Sequence, residues 1–152
     1  MSETDRADLP LAGIRVLEFS HTVMGPTAGL VLADLGADVV KVEPAPEGDH
    51  TRRLSGFAAG FFGYFNRNKR SLAADLKTPE GQGLIRRLAE RADVLVENYG
   101  PGTMERLGCG YEQLAAGNPR LIYCALKGFL SGPTRAGRRS TRSCSTWPGS
   151  PT

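Results

Sequence analysis

Gly100-Pro101-Gly102 follows directly on the run Ala92-Asp93-Val94-Leu95-Val96-Glu97-Asn98-Tyr99, and it is the place in this sequence best suited to receive a ligand. Neither glycine carries a Cβ, so a bound group can approach the backbone closely. The run before them is apolar and β-prone, with Val94 to Val96 at its centre, and it stops abruptly at a polar pair. That is the pattern of a buried parallel strand delivering a loop at its carboxyl end, which is where open α/β sheets bind ligands. On spacing alone a plain strand-to-helix turn is an equal reading. Lys127-Gly128 follows a later strand, Leu121 to Leu126, on the same side of the sheet. Arg67, Lys69 and Arg70 lie within four residues and could face phosphates, although such a run is more often simply solvated.

Other chemistries find little support. His21 and His50 are the only histidines, and Cys109, Cys124 and Cys144 are odd in number and widely spaced, so neither a metal cluster nor a disulfide framework is expected. His21 has no evident acidic partner in sequence and reads as a loop-orienting residue rather than a base. The net charge of +3 comes from the end of the chain, where residues 134–152 hold Arg135, Arg138, Arg139 and Arg142 and no acid. The body is therefore slightly acidic and gives no reason to expect a nucleic-acid partner. No apolar run is long enough to span a membrane. The first ten residues are acidic and polar, unlike a signal peptide, so a cytoplasmic location is expected.

The elements that must position these residues can be read in order. Ile14 to Phe19 is a first strand, Ser20 to Pro26 a loop, and Leu30, Leu32, Ala33 and Leu35 mark an apolar helix that Gly36 closes. Asp38 to Glu43 is the next strand, completing a βαβ unit. Glu43 stands where the ribose-binding acid of a dinucleotide site would be, but the loop FSHTVMGP lacks the G-x-G-x-x-G that brings amides to a pyrophosphate. The aromatic stretch GFAAGFFGYF, residues 56–65, reads as core packing in preference to an acyl pocket. Ser71 to Asp75 is a short strand. Thr78 and Pro79 form the N-cap and first turn of a helix whose apolar face is Leu84, Ile85, Leu88 and Ala92. Tyr111 to Ala116 is a short helix before the last strand.

Three ordered stretches carry a resemblance: LAGIRVLEFSHTVMGPTAGLVLADLGADVVKVEP (11–44), NRNKRSLAADLKTPEG (66–81) and ADVLVENYGPGTMERLG (92–108). Together they resemble the family III CoA-transferases, the group that includes formyl-CoA transferase, carnitine CoA-transferase and the acyl-CoA racemases. With the run to Gly132 the resemblance covers nearly all of the chain except its tail. It implies an α/β fold: a Rossmann-like parallel sheet with flanking helices, forming the N-terminal part of a longer enzyme whose full-length form is a homodimer. It implies acyl-CoA and carboxylic acid substrates, and coenzyme A as the bound group, with no metal. It places Val23 and Met24 at the nucleotide and thiol end of CoA, and Lys77 and Arg106 near its phosphates. It also puts Asn98, Tyr99 and Gly100 in the loop that contacts CoA, with Lys127 and Gly128 in the loop after the last strand. Pro44 departs from relatives that have an arginine there, which removes one phosphate contact. The neutral alternative for Lys77 and Arg106 is solvated surface.

The resemblance also implies a mechanism in which an aspartate attacks the acyl-CoA thioester, forms a mixed anhydride and then an aspartyl-CoA thioester, from which the acceptor acid collects CoA. An acyl-CoA racemase, which shifts an α-proton instead, is the alternative within the family, and a non-catalytic CoA-binding remnant is the alternative outside it. The expected place of the aspartate holds Ser140 and Thr141, so no catalytic residue is assigned. From Thr134 the sequence contains no Leu, Ile, Val or Phe, and such a segment is expected to be disordered. Restoring one base before the Thr134 codon permits the string YAGRPALDEVVQHMAGLAYM, which has helical patterning and an aspartate. A frameshift at that junction is therefore expected. The domain reading is a disordered terminus over 1–10, the α/β unit over 11–133, and a disordered basic tail over 134–152.

Overall fold

The computed structural model describes residues 8–128. Five parallel strands, β1 (Arg15–Phe19), β2 (Asp38–Pro44), β3 (Arg70–Ala74), β4 (Val94–Glu97) and β5 (Ile122–Ala125), form one sheet in the order β3-β2-β1-β4-β5. The helices are α1 (Met24–Asp34), α2 (Phe61–Phe65), α3 (Pro79–Ala89), α4 (Thr103–Arg106) and α5 (Tyr111–Ala115). This is the expected α/β architecture, and each strand lies within one or two residues of its reading from the sequence. The tail over 134–152, its frameshift and the first seven residues lie outside the described residues. Residues 8–10 form a turn in which the Leu9 carbonyl accepts from Ala12 N at 3.0 Å.

Strand alternation divides the core into two layers. Leu17, Phe19, Val42 and Leu95 face the side of α3 to α5, where they pack with Ile85, Ala89, Met104 and Leu114. Val16, Val39 and Val96 face the other side and pack with Ala33 of α1 and with Ala37. The local signals act as their chemistry dictates. Thr78 caps α3 by accepting from Gly81 N at 3.1 Å, and Gly36 ends α1 with φ +104°.

Two features differ from the sequence reading. The aromatic stretch is not core: Phe57 is 93% exposed, Tyr64 is 65% exposed, and no residue of Gly56–Ala58 or Phe61–Phe65 is buried. This segment connects β2 to the edge strand β3, and its rings pack on one another instead, with Phe57–Phe61 and Phe61–Phe65 centroids 5.6 and 5.7 Å apart. The Arg52 guanidinium covers Phe62 at 3.7 Å. The second difference is α4, a four-residue helix directly after the Gly100-Pro101-Gly102 turn, for which the sequence reading gave no bounds.

Gly25 and Gly29 lie on the buried face of α1. A Cβ on Gly29 would sit 1.7 Å from Oε2 of Glu18, so the helix rests directly on a strand carboxylate. Gly29→Ala is expected to destabilise the chain by about 3 kcal/mol or to prevent folding. Gly83→Ala, in α3 with no atom within 4 Å of the new Cβ, is expected to stabilise it by about 0.5–1 kcal/mol. Urea unfolding of the two variants reads this opposite sign.

Candidate functional site

Four strands open into loops at one edge of the sheet: Ser20–Val23 after β1, Ala45–Asp49 after β2, Asn98–Gly102 after β4 and Leu126–Gly128 after β5. The chain builds outward from β1 to β2 and β3, then returns to β1's other side with β4. The loops after β1 and β4 therefore flank the crevice where strand order reverses, the ligand position of open α/β sheets. Asn98 ties them together. Its Oδ1 accepts from His21 N and its Nδ2 donates to His21 O, each at 3.0 Å. Gly25 permits this closeness, because a Cβ there would lie 2.4 Å from Ser20 Cβ and 2.9 Å from Asn98 Cγ.

Beneath the crevice the α1-facing row of the sheet turns from apolar to charged. Glu18 on β1 and Lys41 on β2 are at most 1% exposed. Lys41 Nζ lies 3.4 Å from Glu18 Oε1 and 3.0 Å from Asp49 Oδ2, and it donates to Ser20 O at 2.7 Å. Lys69 Nζ lies 2.7 Å from Glu18 Oε2 and donates to Pro26 O at 2.7 Å. Glu18 Oε2 and Asp49 Oδ2 are met by ammonium charge rather than by well-angled hydrogen bonds. Lys69 is thus a buried structural cation, contrary to the solvated run expected from sequence, while its neighbours Arg67 and Arg70 pair with Asp34 and Asp38. Burial pulls the Lys69 pKa below the ordinary lysine value, and Glu18 opposes that shift.

Glu43 is enclosed as well. Its carboxylate accepts from Arg52 Nε at 2.7 Å, Arg52 Nη2 at 2.8 Å, Ser71 Oγ at 2.7 Å and Asp49 N at 2.8 Å. Those oxygens are committed within the protein, which leaves none for a ribose. Burial raises the Glu43 pKa, but the Arg52, Asp49 and Ser71 hydrogen bonds outweigh it and hold the carboxyl below its ordinary value. Asp49 behaves likewise: burial opposes ionisation, while Thr51 N and Lys41 more than compensate.

A cleft of about 310 Å³ opens above this layer, lined by Ser20, His21, Pro44, Asp49, His50, Arg53 and Tyr99 among others. The His21 ring packs against Tyr99 and His50, with centroids 5.4 and 5.7 Å away. Burial, and next the His50 charge, lower the His21 pKa, which favours a neutral imidazole. Burial pushes the Tyr99 phenol up to about 12. A second cavity of about 380 Å³ lies beyond β4 and β5, with Glu97, Glu105, Tyr111, Tyr123 and Lys127 in its wall. Lys127 Nζ pairs with Glu97 Oε1 and donates to Tyr99 O at 2.7 Å, while Glu97 Oε2 accepts from Tyr99 N at 2.9 Å.

Val23, Met24, Asn98, Tyr99, Gly100, Arg106, Lys127 and Gly128 belong to or adjoin the loops after β1, β4 and β5, and Lys77 follows β3, whereas Arg67, Lys69 and Arg70 lie before or at the start of β3. Val23 and Met24 are 37% and 51% exposed at the start of α1. Asn98 acts through the loop it braces, since its amide group is engaged with His21. Tyr99 is half-buried, and Gly100 and Gly128 are exposed. Arg106 is exposed on α4 and donates to Thr103 Oγ1 at 2.9 Å. Lys77, also exposed, follows the edge strand β3 and is separated from the β4 loop by the width of β2 and β1. Sequence reasoning passed over Glu18, Lys41 and Glu97. Their signal was a charged residue set next to the buried apolar positions of a parallel strand.

Comparison with known proteins gives a consistent result. A family model described as CoA-transferase family III matches residues 11–141. Succinate–glutarate CoA-transferase of Agrobacterium fabrum is 44% identical over 144 residues, which is 88% of this chain and 36% of that protein. A formyl-CoA:oxalate CoA-transferase of Streptomyces avermitilis is 45% identical over 127 residues, covering 81% of this chain and 31% of that protein. The crystal structure of a CaiB/BaiF family protein from Brucella suis superposes with a TM-score of 0.78 at 44% identity, covering 85% of this chain and 36% of that one. The chain thus spans about a third of the length of the relatives it matches.

Glu43 sets a pH dependence. Its folded pKa lies below the ordinary 4.5, so its contribution to stability is complete above that value and is lost as pH falls through the folded pKa. Glu43→Gln is expected to be less stable than the parent at neutral pH, and its stability is expected to fall less steeply below pH 4.5, as read by urea unfolding across the acid range.

Proposed function

The chain belongs to CoA-transferase family III, and on that premise we propose that it binds the coenzyme A part of an acyl-CoA across the carboxyl ends of its strands, as the N-terminal part of an enzyme that moves CoA from an acyl-CoA to a carboxylic acid. The observation that carries this reading is the crevice between the β1 and β4 loops, braced by Asn98 and His21 at the reversal of strand order.

The roles follow from chemistry and exposure. Val23 and Met24 offer exposed apolar surface to the nucleotide and thiol end of CoA. Arg106 and Lys77 are exposed cations suited to phosphates, Arg106 through a planar fork and Lys77 as a point charge. Gly100 and Gly128 give backbone access, and Tyr99 and Lys127 close the floor between the two loops. The partner acid and acyl-CoA are the only substrates this reading requires, and the full-length parent acts as a cytoplasmic homodimer.

In the complete reaction an aspartate oxygen attacks the thioester carbon and CoA thiolate leaves, giving a mixed anhydride. The thiolate then attacks the aspartyl carbon, releasing the donor's carboxylate and forming aspartyl-CoA thioester. The acceptor carboxylate reverses these two steps and leaves with CoA. This chain contains no carboxylate after Glu112, and Ser140 and Thr141 stand where the aspartate is expected. That observation favours a second reading for the chain as it stands: CoA binding without turnover, the result of a frameshift near Thr134. The racemase alternative requires a proton acceptor for the substrate's α-carbon.

Calorimetric titration of the purified 152-residue chain with CoA is expected to show binding that weakens with added salt. Arg106→Ala and Lys77→Ala are each expected to weaken it about threefold to tenfold. No exchange of labelled acid into acyl-CoA is expected from this chain. Exchange should be present once the reading frame is restored, and incorporation of solvent deuterium at the α-carbon would favour the racemase. Absence of CoA binding would overturn the reading.

A further inference from the structure

The walls of the 310 Å³ cleft come from the ends of β1, β2 and β4, and those of β1 and β2 are both held from below by one atom. Lys41 Nζ donates to Ser20 O at 2.7 Å on the β1 side and meets Asp49 Oδ2 at 3.0 Å on the β2 side. Each anchor then organises its own wall. The Ser20 hydroxyl donates to Glu18 Oε1, and His21, the next residue, is held by Asn98. Asp49 Oδ1 accepts from Thr51 N at 2.9 Å and Thr51 Oγ1 at 2.8 Å, which starts the turn His50–Arg53 that lines the opposite wall. The Lys41 side chain is 1% exposed and does not face the cleft's solvent. An ammonium with three donors, fixed on a central strand, joins two loops that share no backbone pairing.

We propose that Lys41 is a positioning residue for the CoA site: by clamping Ser20 and Asp49 it sets the separation of the cleft walls and thereby the affinity of the crevice for its ligand. The ligand part of this inference rests on the CoA reading above; the clamp itself does not. Removing Lys41 alone would leave Glu18 and Asp49 with too little positive charge in a buried site, an effect on folding rather than on position. The informative variant is therefore the charge-balanced pair Lys41→Met with Asp49→Asn. It retains the Glu18–Lys69 pair and an acceptor for Thr51 N.

Two measurements test the clamp, hydrogen exchange on the ligand-free chain and CoA titration. The double variant is expected to speed amide exchange at His21 and at residues 50–53 by about tenfold or more, while the strand amides of β1 and β4 stay protected. Its CoA affinity is expected to fall by about tenfold. Ile85→Val, a core change remote from the cleft, serves as a control for loss of stability. It is expected to leave both readouts unchanged. Equal effects in the double variant and in Ile85→Val would overturn the proposal, as would unchanged exchange at the two walls or faster exchange with unchanged affinity. If the double variant does not fold, Asp49→Asn alone releases one wall. Faster exchange is then expected at residues 50–53 and not at His21, and unchanged exchange at residues 50–53 would reject the clamp. Should the parent chain bind no CoA, the exchange data still decide whether the clamp exists, so failure of the two ideas is distinguishable.

Discussion

A buried chain of alternating charge, Lys69–Glu18–Lys41–Asp49, is the constraint on which the rest of this structure depends. Two carboxylates and two ammonium groups balance, and the order of signs places each inner charge between two of the opposite kind. Isolated ions in such surroundings would be strongly disfavoured, whereas a closed and balanced set is tolerable and highly directional. Its members come from β1, β2, the loop after β2 and the residue before β3. Forming it therefore fixes the relation of three adjacent strands and of the loops at their carboxyl ends. Apolar packing holds the sheet together, but it would accept small slips that this network does not.

The composition of α1 follows from that layer. A helix lying over buried carboxylates must come close without a side chain in between, and Gly25 and Gly29 supply that approach. Pro26 O also accepts from Lys69, so the first turn of the helix is tied to the same network as the strands beneath it. The exposed Val23 and Met24 at its start are thereby placed beside the crevice by groups buried well below them.

Much of the fold was legible because its signals are local. Thr78-Pro79 begins a helix, Gly36 ends one, and the apolar runs at 14–19, 38–43 and 94–97 are strands for reasons contained within a few residues. The crevice was legible for the same reason, through the polar stop and glycines after Glu97. The buried charges were not, because the ion-pair partners of Glu18 lie 23 residues away or farther, and nothing near Lys69 distinguishes it from Arg67 or Arg70. The aromatic stretch misled for a related reason. Ring content implies burial only when a layer exists to cover it, and a connection running past the sheet edge has none among the described residues. Asn98 was singled out as a ligand contact, yet its engagement with His21 could be seen only once the loops were side by side.

The strand order β3-β2-β1-β4-β5 also has a consequence in time. The ribosome delivers β1 first, and every later strand meets a partner that already exists: β2 joins β1, β3 joins β2, β4 joins the free side of β1, and β5 joins β4. Only the β4-facing edge of β1 waits for a strand not yet made, so the sheet can grow in step with synthesis. Glu18 emerges early and acquires its counter-charges in sequence, Lys41 first, then Lys69. The charge balance of this network is thus completed before β4 appears, and the crevice closes when the β4 loop arrives, on a floor already in place.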